Sequence, residues 1–288
     1  DSAVSRGLGD VYKRQGLILL GHGHFAFGQT AEKSYNQIIS HTQTVADYLN
    51  LENPTALNVK ASHSSHGVLP VIRGLIAEMI GPNAAMPIID VRNGPEEMKF
   101  LKRDDLESLS ERGTASPDHV IRIKGRPLVL RKSVWEQGRS AIKEALKDYE
   151  IEYKAMFERQ APKAAQPKTI LPPDPKTIWM EGVGLLGLGA NFKSASIAGD
   201  LVVQNARVRS VGEDAGGFYP IGEKDLFDCE YWSLEQAKLG KGKAPPFQGK
   251  VVMVTGGSGT IGFETAKAFS SLGAQCFLVD INQENLDI

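Results

Sequence analysis

Short apolar runs alternate with segments of helical period along most of the chain, and glycine or proline usually separates them. Apolar runs of this length predict buried strands, whereas apolar positions that recur every three or four residues predict amphipathic helices. Strands are predicted at residues 17–20, 86–91, 120–123, 127–130, 177–180, 251–254 and 276–280. Helices are predicted at residues 31–49, 68–80, 104–111, 134–159, 192–209, 230–239 and 263–272. This alternation predicts an α/β fold.

Two stretches rich in proline and glycine divide the chain into segments. Residues 161–175 contain five prolines and predict a linker or an irregular crossover, because proline cannot donate a backbone hydrogen bond. Residues 240–249 have the sequence GKGKAPPFQG and predict the clearest domain boundary in the chain.

Two glycine-rich segments match each other at an offset of 161 residues, which places Gly28 on Gly189. The glycines of residues 21–28 recur in residues 182–189, and each segment is predicted as a loop between an apolar strand and a helix. An internal duplication explains the match, and two unrelated strand–glycine–helix turns are the alternative. At the same offset, His22 of the first segment has Val183 as its counterpart.

Composition narrows the class of protein. Hydrophobic residues make up 41% and charged residues 23% of the chain, as in ordinary globular proteins. A net charge of −1 provides no general attraction to nucleic acid or to an anionic membrane, so neither is expected as a partner. Cys229 and Cys276 are far apart, which argues against a disulfide framework and a structural zinc site. We find no secretory signal or membrane-spanning run and expect a cytoplasmic protein.

The strongest chemical motif follows the strand predicted at residues 251–254. A glycine-rich turn, a helix and a second strand come next, and the second strand ends at Asp280. This order is typical of dinucleotide binding, because glycines allow close approach to a pyrophosphate at a helix N-terminus and the acid accepts from the ribose 2′-hydroxyl. We therefore expect NAD as the cofactor. The predicted binding residues are Thr255, Gly256, Gly257, Ser258, Gly259, Thr260, Ile261, Gly262 and Asp280.

This turn resembles the signature of the short-chain dehydrogenase/reductase family, in which a threonine–glycine pair precedes spaced glycines. It departs at Thr260, where the commonest pattern of that family has glycine. The spacing fits both the TGxxGxxG form of extended members and the general GxGxxG form, so the subfamily stays open. The resemblance implies a catalytic tyrosine, lysine and serine that would lie beyond residue 288.

A second motif surrounds His22 and His24, which are two positions apart and would share one face of an extended backbone. Such a pair can bind zinc, but polar loop histidines are commoner than metal ligands. Residues 19–35 resemble the C-terminal signature of class II aldolase/adducin domains. The resemblance implies that His22 is the last of three zinc ligands and that His24 is not a ligand. The other two ligands and an acid/base glutamate would lie before residue 16, so we expect little zinc binding by this chain.

Three weaker groups of polar residues keep more than one interpretation. His63 and His66 lie in a polar segment and are either a ligand pair or solvated. Asp118 and His119 are adjacent on a predicted strand, so their side chains would point to opposite faces and Asp118 would serve in a turn or cap. The basic residues between positions 124 and 132 either meet a phosphate or form a solvated edge.

Taken in order, these segments resemble the bifunctional aldolase/short-chain dehydrogenase family of the rhamnulose-1-phosphate aldolase/alcohol dehydrogenase type. Residues 115–124, 182–189 and 225–239 strengthen the resemblance, which covers residues 16–288. It implies zinc-dependent cleavage of a ketulose 1-phosphate to dihydroxyacetone phosphate and lactaldehyde, and NAD-linked oxidoreduction of the aldehyde or alcohol. The implied ligands are a sugar phosphate, an aldehyde or alcohol, zinc and NAD, and the intact protein is expected to be a homo-oligomer.

The resemblance also implies how the chain is divided. Residues 1–15 resemble a translated sequencing adapter and are expected to be non-native. We therefore expect an internal fragment that catalyses neither reaction, with no catalytic residue inside the chain. The predicted domains are the C-terminal part of a class II aldolase-like domain at 16–80, a second aldolase-like or connecting domain at 81–239, a linker at 240–249, and the start of an NAD-binding domain at 250–288.

Two other functions stay open. One is a plain short-chain dehydrogenase with an unrelated N-terminal extension, and the other is an adducin-like module without catalysis. Extending the gene in both directions separates the three. A His-x-His pair and a glutamate upstream, with Tyr-x-x-x-Lys downstream, would indicate the bifunctional enzyme.

Overall fold

The computed structural model describes residues 16–19, 23–51, 67–82, 85–234 and 244–287. These residues form two compact units, Asp1–Asn58 and Val59–Ile288. The predicted non-native segment 1–15 lies outside the described residues. In the described part of the chain, no helix is both long enough and apolar enough to cross a membrane.

The described part of the first unit is a β-hairpin followed by a helix. Strand β1 (Gly16–Leu19) pairs antiparallel with β2 (Gly23–Ala26). Helix α1 (Ala31–Tyr48) begins after Thr30, whose hydroxyl accepts a hydrogen bond from the backbone N–H of Lys33 at 3.2 Å. A side chain of this type at the N-cap satisfies a backbone donor that the helix leaves free. The helix predicted at residues 31–49 is thus confirmed.

The second unit contains a four-stranded mixed sheet with helices on both faces. The strands lie in the order β3-β6-β5-β4, in which β6 is antiparallel to β3 and β5, and β4 is parallel to β5. The elements are α2 (Val68–Ile80), β3 (Ile88–Arg92), α3 (Pro95–Phe100), α4 (Leu106–Glu111), α5 (Pro117–Ile123), β4 (Leu128–Leu130), α6 (Lys132–Trp135), α7 (Arg139–Gln160), β5 (Thr177–Met180), β6 (Gly184–Gly189), α8 (Phe192–Asp214) and α9 (Glu223–Glu230).

The core of this unit divides into two clusters because successive strand side chains point to opposite faces of the sheet. Ile178 and Met180 of β5 pack on the face covered by α2 and α7. Trp179, between them in sequence, packs on the other face against Phe100 and Leu106 and against α8. All four residues of β5 are buried, which is what its uninterrupted apolar pattern predicted.

One predicted strand is wrong. Residues 120–123 belong to helix α5. The neighbouring predicted strand is present as β4, which pairs with β5. The run Val120-Ile121 favours a strand by its β-branched side chains. Pro117 at the first helical position overrides this preference, because its fixed φ suits a helix start and its missing N–H is not needed there.

Glycine explains two further differences from the predicted elements. The helix predicted at residues 134–159 is broken into α6 and α7, and Gly138 lies between them with φ +95°, a conformation that side chains disfavour. The predicted glycine loop at residues 182–189 is largely strand β6. Half of the helix predicted at residues 230–239 (235–239) lies outside the described residues. Helix α9 ends at Glu230, and residues 233 and 234 are helical.

The offset of 161 residues also aligns the structural elements. When 161 is added to the residue numbers at which β1, β2 and α1 begin, the results are the residue numbers at which β5, β6 and α8 begin. Each copy is an antiparallel hairpin followed by a helix with a side-chain N-cap, Thr30 in one and Asn191 in the other. The predicted duplication is therefore supported, although the repeating element is a hairpin rather than a loop.

The glycine before each helix is required for the same steric reason. A Cβ on Gly28 would lie 2.5 Å from the backbone nitrogen of Ser34. A Cβ on Gly189 would lie 2.3 Å from the backbone nitrogen of Ala195, which is the counterpart of Ser34 at the same offset. Only glycine lets the strand end approach the first helical turn this closely.

The last part of the second unit is a strand–helix–strand motif. Strand β7 (Val251–Thr255) pairs in parallel with β8 (Gln275–Val279), and helix α10 (Thr260–Ser271) connects them. A short helix, α11 (Gln283–Leu286), follows. The strand pair predicted from the apolar runs is confirmed. Met253 and Phe277 lie opposite each other in the register and are 65% and 58% exposed, so one face of this two-stranded sheet is open.

Residues 244–249, the described part of the predicted linker, pack closely against neighbouring elements. Arg73 of α2 donates from Nη2 to the carbonyl of Gly249 at 2.6 Å and from Nε to the carbonyl of Pro87 at 2.8 Å. Gly249 has φ +76°, and a Cβ there would lie 2.6 Å from the carbonyl oxygen of Met86. This segment is therefore attached to α2 through the Arg73 side chain and lies against the backbone of Met86.

We predict that Arg73→Met loosens β7 and β8 without unfolding the four-stranded sheet. The substitution keeps an apolar stem but removes both donors, and hydrogen bonds from a charged group contribute about 1.5–3 kcal/mol, or roughly tenfold or more in local opening. Amide hydrogen exchange should rise by that factor in β7 and β8 and stay unchanged in β5. Arg139→Met is the matched control, because Arg139 pairs with Glu78 at the exposed surface. Equal protection of β7 in both variants would contradict the prediction.

Candidate functional site

The glycine-rich turn forms a tight loop between β7 and α10. Gly256 has φ +66°, the left-handed region that glycine adopts without strain. The N–H of Gly257 donates to the carbonyl of Val279 at 3.1 Å, and the N–H of Gly259 donates to the carbonyl of Gly256 at 3.1 Å. These bonds hold the loop against the end of β8.

Two glycines in this loop are sites of close approach. A Cβ on Gly262 would lie 2.1 Å from the carbonyl oxygen of Gly256, so the first turn of α10 sits directly on the loop. A Cβ on Gly257 would lie 2.9 Å from the Cβ of Leu278 and 2.9 Å from the carbonyl oxygen of Val254. Loop, helix and strands are therefore in direct contact at these two glycines.

Helix α10 presents its N-terminus at this loop. Its N-cap, Gly259, has extended backbone angles and no capping side chain, and the first turn contains no acidic residue. The first backbone N–H groups of a helix have no partner within the helix, and the helix dipole adds positive potential there. A helix start of this kind, next to a glycine loop, suits a phosphate group.

The structure brings Asp280 to the same loop. Its Oδ2 accepts from the backbone N–H of Ser258 at 3.0 Å, and its Oδ1 accepts from the backbone N–H of Asn282 at 3.1 Å. Hydrogen bonds from Asn282 and Ser258 hold the pKa of the Asp280 carboxyl below its usual range. The group is partly exposed and ionised at neutral pH, so it can accept from a hydroxyl or repel an anion.

The predicted metal ligand, His22, lies outside the described residues, as do His63 and His66. His24 lies on β2, with Nε2 2.9 Å from Nδ1 of His41 on α1. Across the described ranges, no group of three or more His, Cys, Asp and Glu side chains is placed to hold a metal ion. In the second hairpin, Val183 is buried in the core where the first copy has His22.

The basic residues between positions 124 and 132 form separate contacts. Arg131 makes two hydrogen bonds of 2.6 Å to Glu107, and Arg126 lies 3.4 Å from both Glu111 and Glu152. Because carboxylates already neutralise these two arginines, the pairings favour a charged surface edge over a phosphate-binding site. Lys124, by contrast, is buried.

Asp118 and His119 lie in helix α5 rather than on a strand. Asp118 is in the first helical turn, where a negative charge is favourable, but the N-cap is Ser116 and no side chain caps this helix. His119 is buried, its Nδ1 is 2.7 Å from the hydroxyl of Ser116, and burial lowers its pKa. The two residues therefore form no acid–base couple with each other.

Comparison with known proteins identifies the family of the larger part of the chain. The family described as "Aldolase class II, second domain" matches residues 63–239, more than half of the chain. The chain belongs to this family. A curated relative is the "Uncharacterized oxidoreductase YuxG" of Bacillus subtilis (strain 168), which is 26% identical over 299 residues, covering 98% of this chain and 42% of the relative. The chain thus spans less than half the length of that relative, and no solved structure matches it.

The match to the class II aldolase second domain covers the four-stranded sheet and the second hairpin copy. The glycine loop and Asp280 lie outside that match but almost wholly within the part aligned with the YuxG relative, since that alignment covers 98% of the chain. An aldolase-family domain is therefore followed directly by the candidate nucleotide site.

The aldolase second domain also contains a buried polar cluster that the sequence did not predict. Nζ of Lys124 donates to the carbonyls of Pro172 at 2.5 Å and Asp174 at 2.8 Å and lies 3.8 Å from the ring centre of Tyr153. The Tyr153 hydroxyl donates to Oε1 of Glu230 at 2.7 Å and lies 2.9 Å from the Tyr231 hydroxyl. Through Lys124, these contacts hold the proline-rich crossover (residues 161–175) against α7 and α9.

Next to this cluster lies a cavity of about 750 Å³. Lys124, Tyr153 and Glu230 contribute to its wall, together with apolar surface from Phe218 and Phe227. Burial lowers the pKa of Lys124 to about 8, an effect that Asp174 and Glu230 oppose, and burial raises the pKa of Glu230. The cavity therefore combines an apolar wall with an amine and an acid whose pKa values both move toward neutrality.

Proposed function

We propose that the chain is part of a bifunctional enzyme. One activity is zinc-dependent aldol cleavage of a ketulose 1-phosphate such as rhamnulose 1-phosphate, and the other is NAD-linked oxidoreduction of the resulting aldehyde or of the alcohol. The single observation that carries the proposal is the parallel strand–glycine loop–helix–strand motif, ending at Asp280, directly behind a class II aldolase second domain. The oxidoreductase name of the Bacillus subtilis relative is consistent with it.

For the redox half, we propose that the motif is the first part of a Rossmann-type NAD-binding domain of the short-chain dehydrogenase kind. The described residues fit this cofactor. Glycines stand where the loop, the helix and the strands come closest to one another, and no side chain caps the first backbone N–H groups of α10, where a phosphate would bind. Residues 255–262 would hold the pyrophosphate, and Asp280 would accept from the adenosine ribose. Bound NAD would accept or donate the hydride.

For the aldol half, we propose His22 as a zinc ligand in the intact protein. A bound zinc ion would polarise the carbonyl of the sugar phosphate. No set of three ligands is present among the described residues, so this part of the proposal depends on the resemblance of residues 19–35 to class II aldolases. Val183, buried in the second hairpin, supports a second aldolase-like copy that keeps the fold without the ligand.

Binding of NAD and NADP to the full chain tests the redox half. We expect NAD to bind about tenfold more tightly or better, because Asp280 can hydrogen-bond the 2′-hydroxyl and repels a 2′-phosphate, a difference of at least about 1.4 kcal/mol. Isothermal titration calorimetry measures both affinities. Asp280→Ala should remove the preference, whereas Glu284→Ala, which removes a nearby acid in α11, should keep it. Tighter binding of NADP, or binding of neither dinucleotide, would contradict the proposal.

A further inference from the structure

Lys124 is held in an unusual backbone conformation. It ends helix α5 with φ +63°, and among the described residues Asn50 is the only other non-glycine residue with positive φ. The left-handed region costs an L-residue with a Cβ roughly 1–2 kcal/mol, and such strain tends to occur at functional positions. The strained backbone therefore marks Lys124 as a candidate functional residue.

The amine of Lys124 is held by two backbone carbonyls and by the face of the Tyr153 ring. Nζ donates to two backbone carbonyls, and in the described part of the chain it forms no ion pair. A neutral amine has two N–H groups, which these two carbonyls satisfy, and one lone pair. Because burial lowers the pKa of Lys124 to about 8, a substantial fraction of the amine is neutral in mildly alkaline solution.

A proton donor lies next to this amine. The Tyr153 ring packs against Nζ, and its hydroxyl is hydrogen-bonded to both Glu230 and Tyr231. Burial raises the pKa of Glu230, so this carboxyl holds a proton more readily than an exposed one. The cavity of about 750 Å³ borders all three of Lys124, Tyr153 and Glu230, and its volume suits a small organic ligand.

We propose that this cavity binds a small aldehyde or ketone, which Lys124 holds covalently as an imine. The Nζ lone pair attacks the carbonyl carbon and forms the C–N bond, while the C=O electron pair moves to oxygen, which takes up a proton. That proton comes from the attacking nitrogen. The C–O bond then breaks as water leaves with a second proton from the Tyr153–Glu230 pair, and the nitrogen lone pair completes C=N. The iminium nitrogen returns its remaining proton to that pair. The net change is amine plus carbonyl to imine plus water, with no oxidant or reductant. The proposal does not depend on the aldolase or dehydrogenase activities.

Reductive trapping of the full chain tests this site. The protein is incubated with propanal and sodium cyanoborohydride, which reduces the imine to a stable secondary amine, and the modified lysines are mapped by mass spectrometry. We expect Lys124 to be labelled at least about tenfold faster than Lys143, whose side chain is 67% exposed and pairs with Glu78 at the surface. Labelling of Lys143 and other exposed lysines with none at Lys124 would overturn the proposal.

Two variants separate a reactive amine from a structural one. Tyr153→Phe keeps the ring under Nζ but removes the hydroxyl, and it should slow labelling of Lys124 about tenfold without changing Lys143. Lys124→Arg keeps the charge and the hydrogen-bond donors but removes the nucleophile, so labelling should disappear from this peptide while thermal unfolding changes little. An unchanged rate at Lys124 in the Tyr153→Phe protein would show that the hydroxyl delivers no proton and would overturn the proposed step.

Discussion

Gly187→Ala is expected to destabilise the second unit by at least about 3 kcal/mol. Gly187 lies in the middle of β6, where helix α8 crosses the sheet. A Cβ at this position would lie 2.3 Å from the backbone nitrogen of Gly199 and 2.6 Å from the carbonyl oxygen of Ala195. Both are backbone atoms of α8, so no side-chain rotation relieves the overlap. The helix would have to move away from the sheet and would lose its packing around Trp179.

Overpacking in a core typically costs about 1–3 kcal/mol, and we expect at least the upper value here because the obstacle is backbone. Urea unfolding followed by circular dichroism measures the effect. Gly74→Ala is the matched control, because Gly74 lies inside α2 with no atom within 4 Å of the added Cβ. That change should stabilise the helix by about 0.5–1 kcal/mol. Equal unfolding midpoints for the Gly187→Ala and wild-type proteins would contradict the prediction.

Gly262→Val is expected to abolish detectable NAD binding by the chain. The Cβ alone would lie 2.1 Å from the carbonyl oxygen of Gly256, and valine adds two methyl groups to it. The start of α10 would be pushed away from the loop, so the loop amides and the helix N-terminus would no longer face the same phosphate. The four-stranded sheet lies outside this contact and should keep its structure.

Calorimetric titration with NAD measures this loss, and circular dichroism checks that the fold is kept. Gly259→Ala provides the control within the same loop, since its Cβ would lie 3.3 Å from the nearest atom and its φ of −77° suits any residue. Binding should weaken only slightly in this variant. If Gly262→Val binds NAD as tightly as wild type, the loop does not hold the dinucleotide.

The helix predicted at residues 68–80 and the strand predicted at residues 177–180 have the observed bounds, because a single strong period runs through each segment. Strand β6 was predicted as a loop since three of its six residues are glycine. Gly187 and Gly189 are there because α8 approaches the strand too closely for a side chain. A rule based on local propensity cannot distinguish glycine used for close packing from glycine used for turning.

The two candidate sites also differ in how much of each is encoded in one short stretch of sequence. The glycine loop is encoded within one short segment, and Asp280, the one partner outside it, ends the next strand, so the sequence was sufficient to predict it. The Lys124 cluster joins residues from the end of α5, from α7 and α9 and from the proline-rich crossover. The contacting pairs are 29 to 78 residues apart in sequence. No local pattern encodes such contacts, and only the fold brings them together.

Two copies of one hairpin–helix element in a single chain create a risk of strand exchange during folding. The nascent β1–β2 hairpin has the same backbone path as β5–β6 and could compete for its place in the sheet. Across residues 16–34 and 177–195, the copies share only their three glycines. Trp179, which fills a large buried volume, has Ile18 as its counterpart, so an exchanged hairpin would leave a void there. Divergence of the side chains around a retained glycine framework thus keeps each copy in its own place.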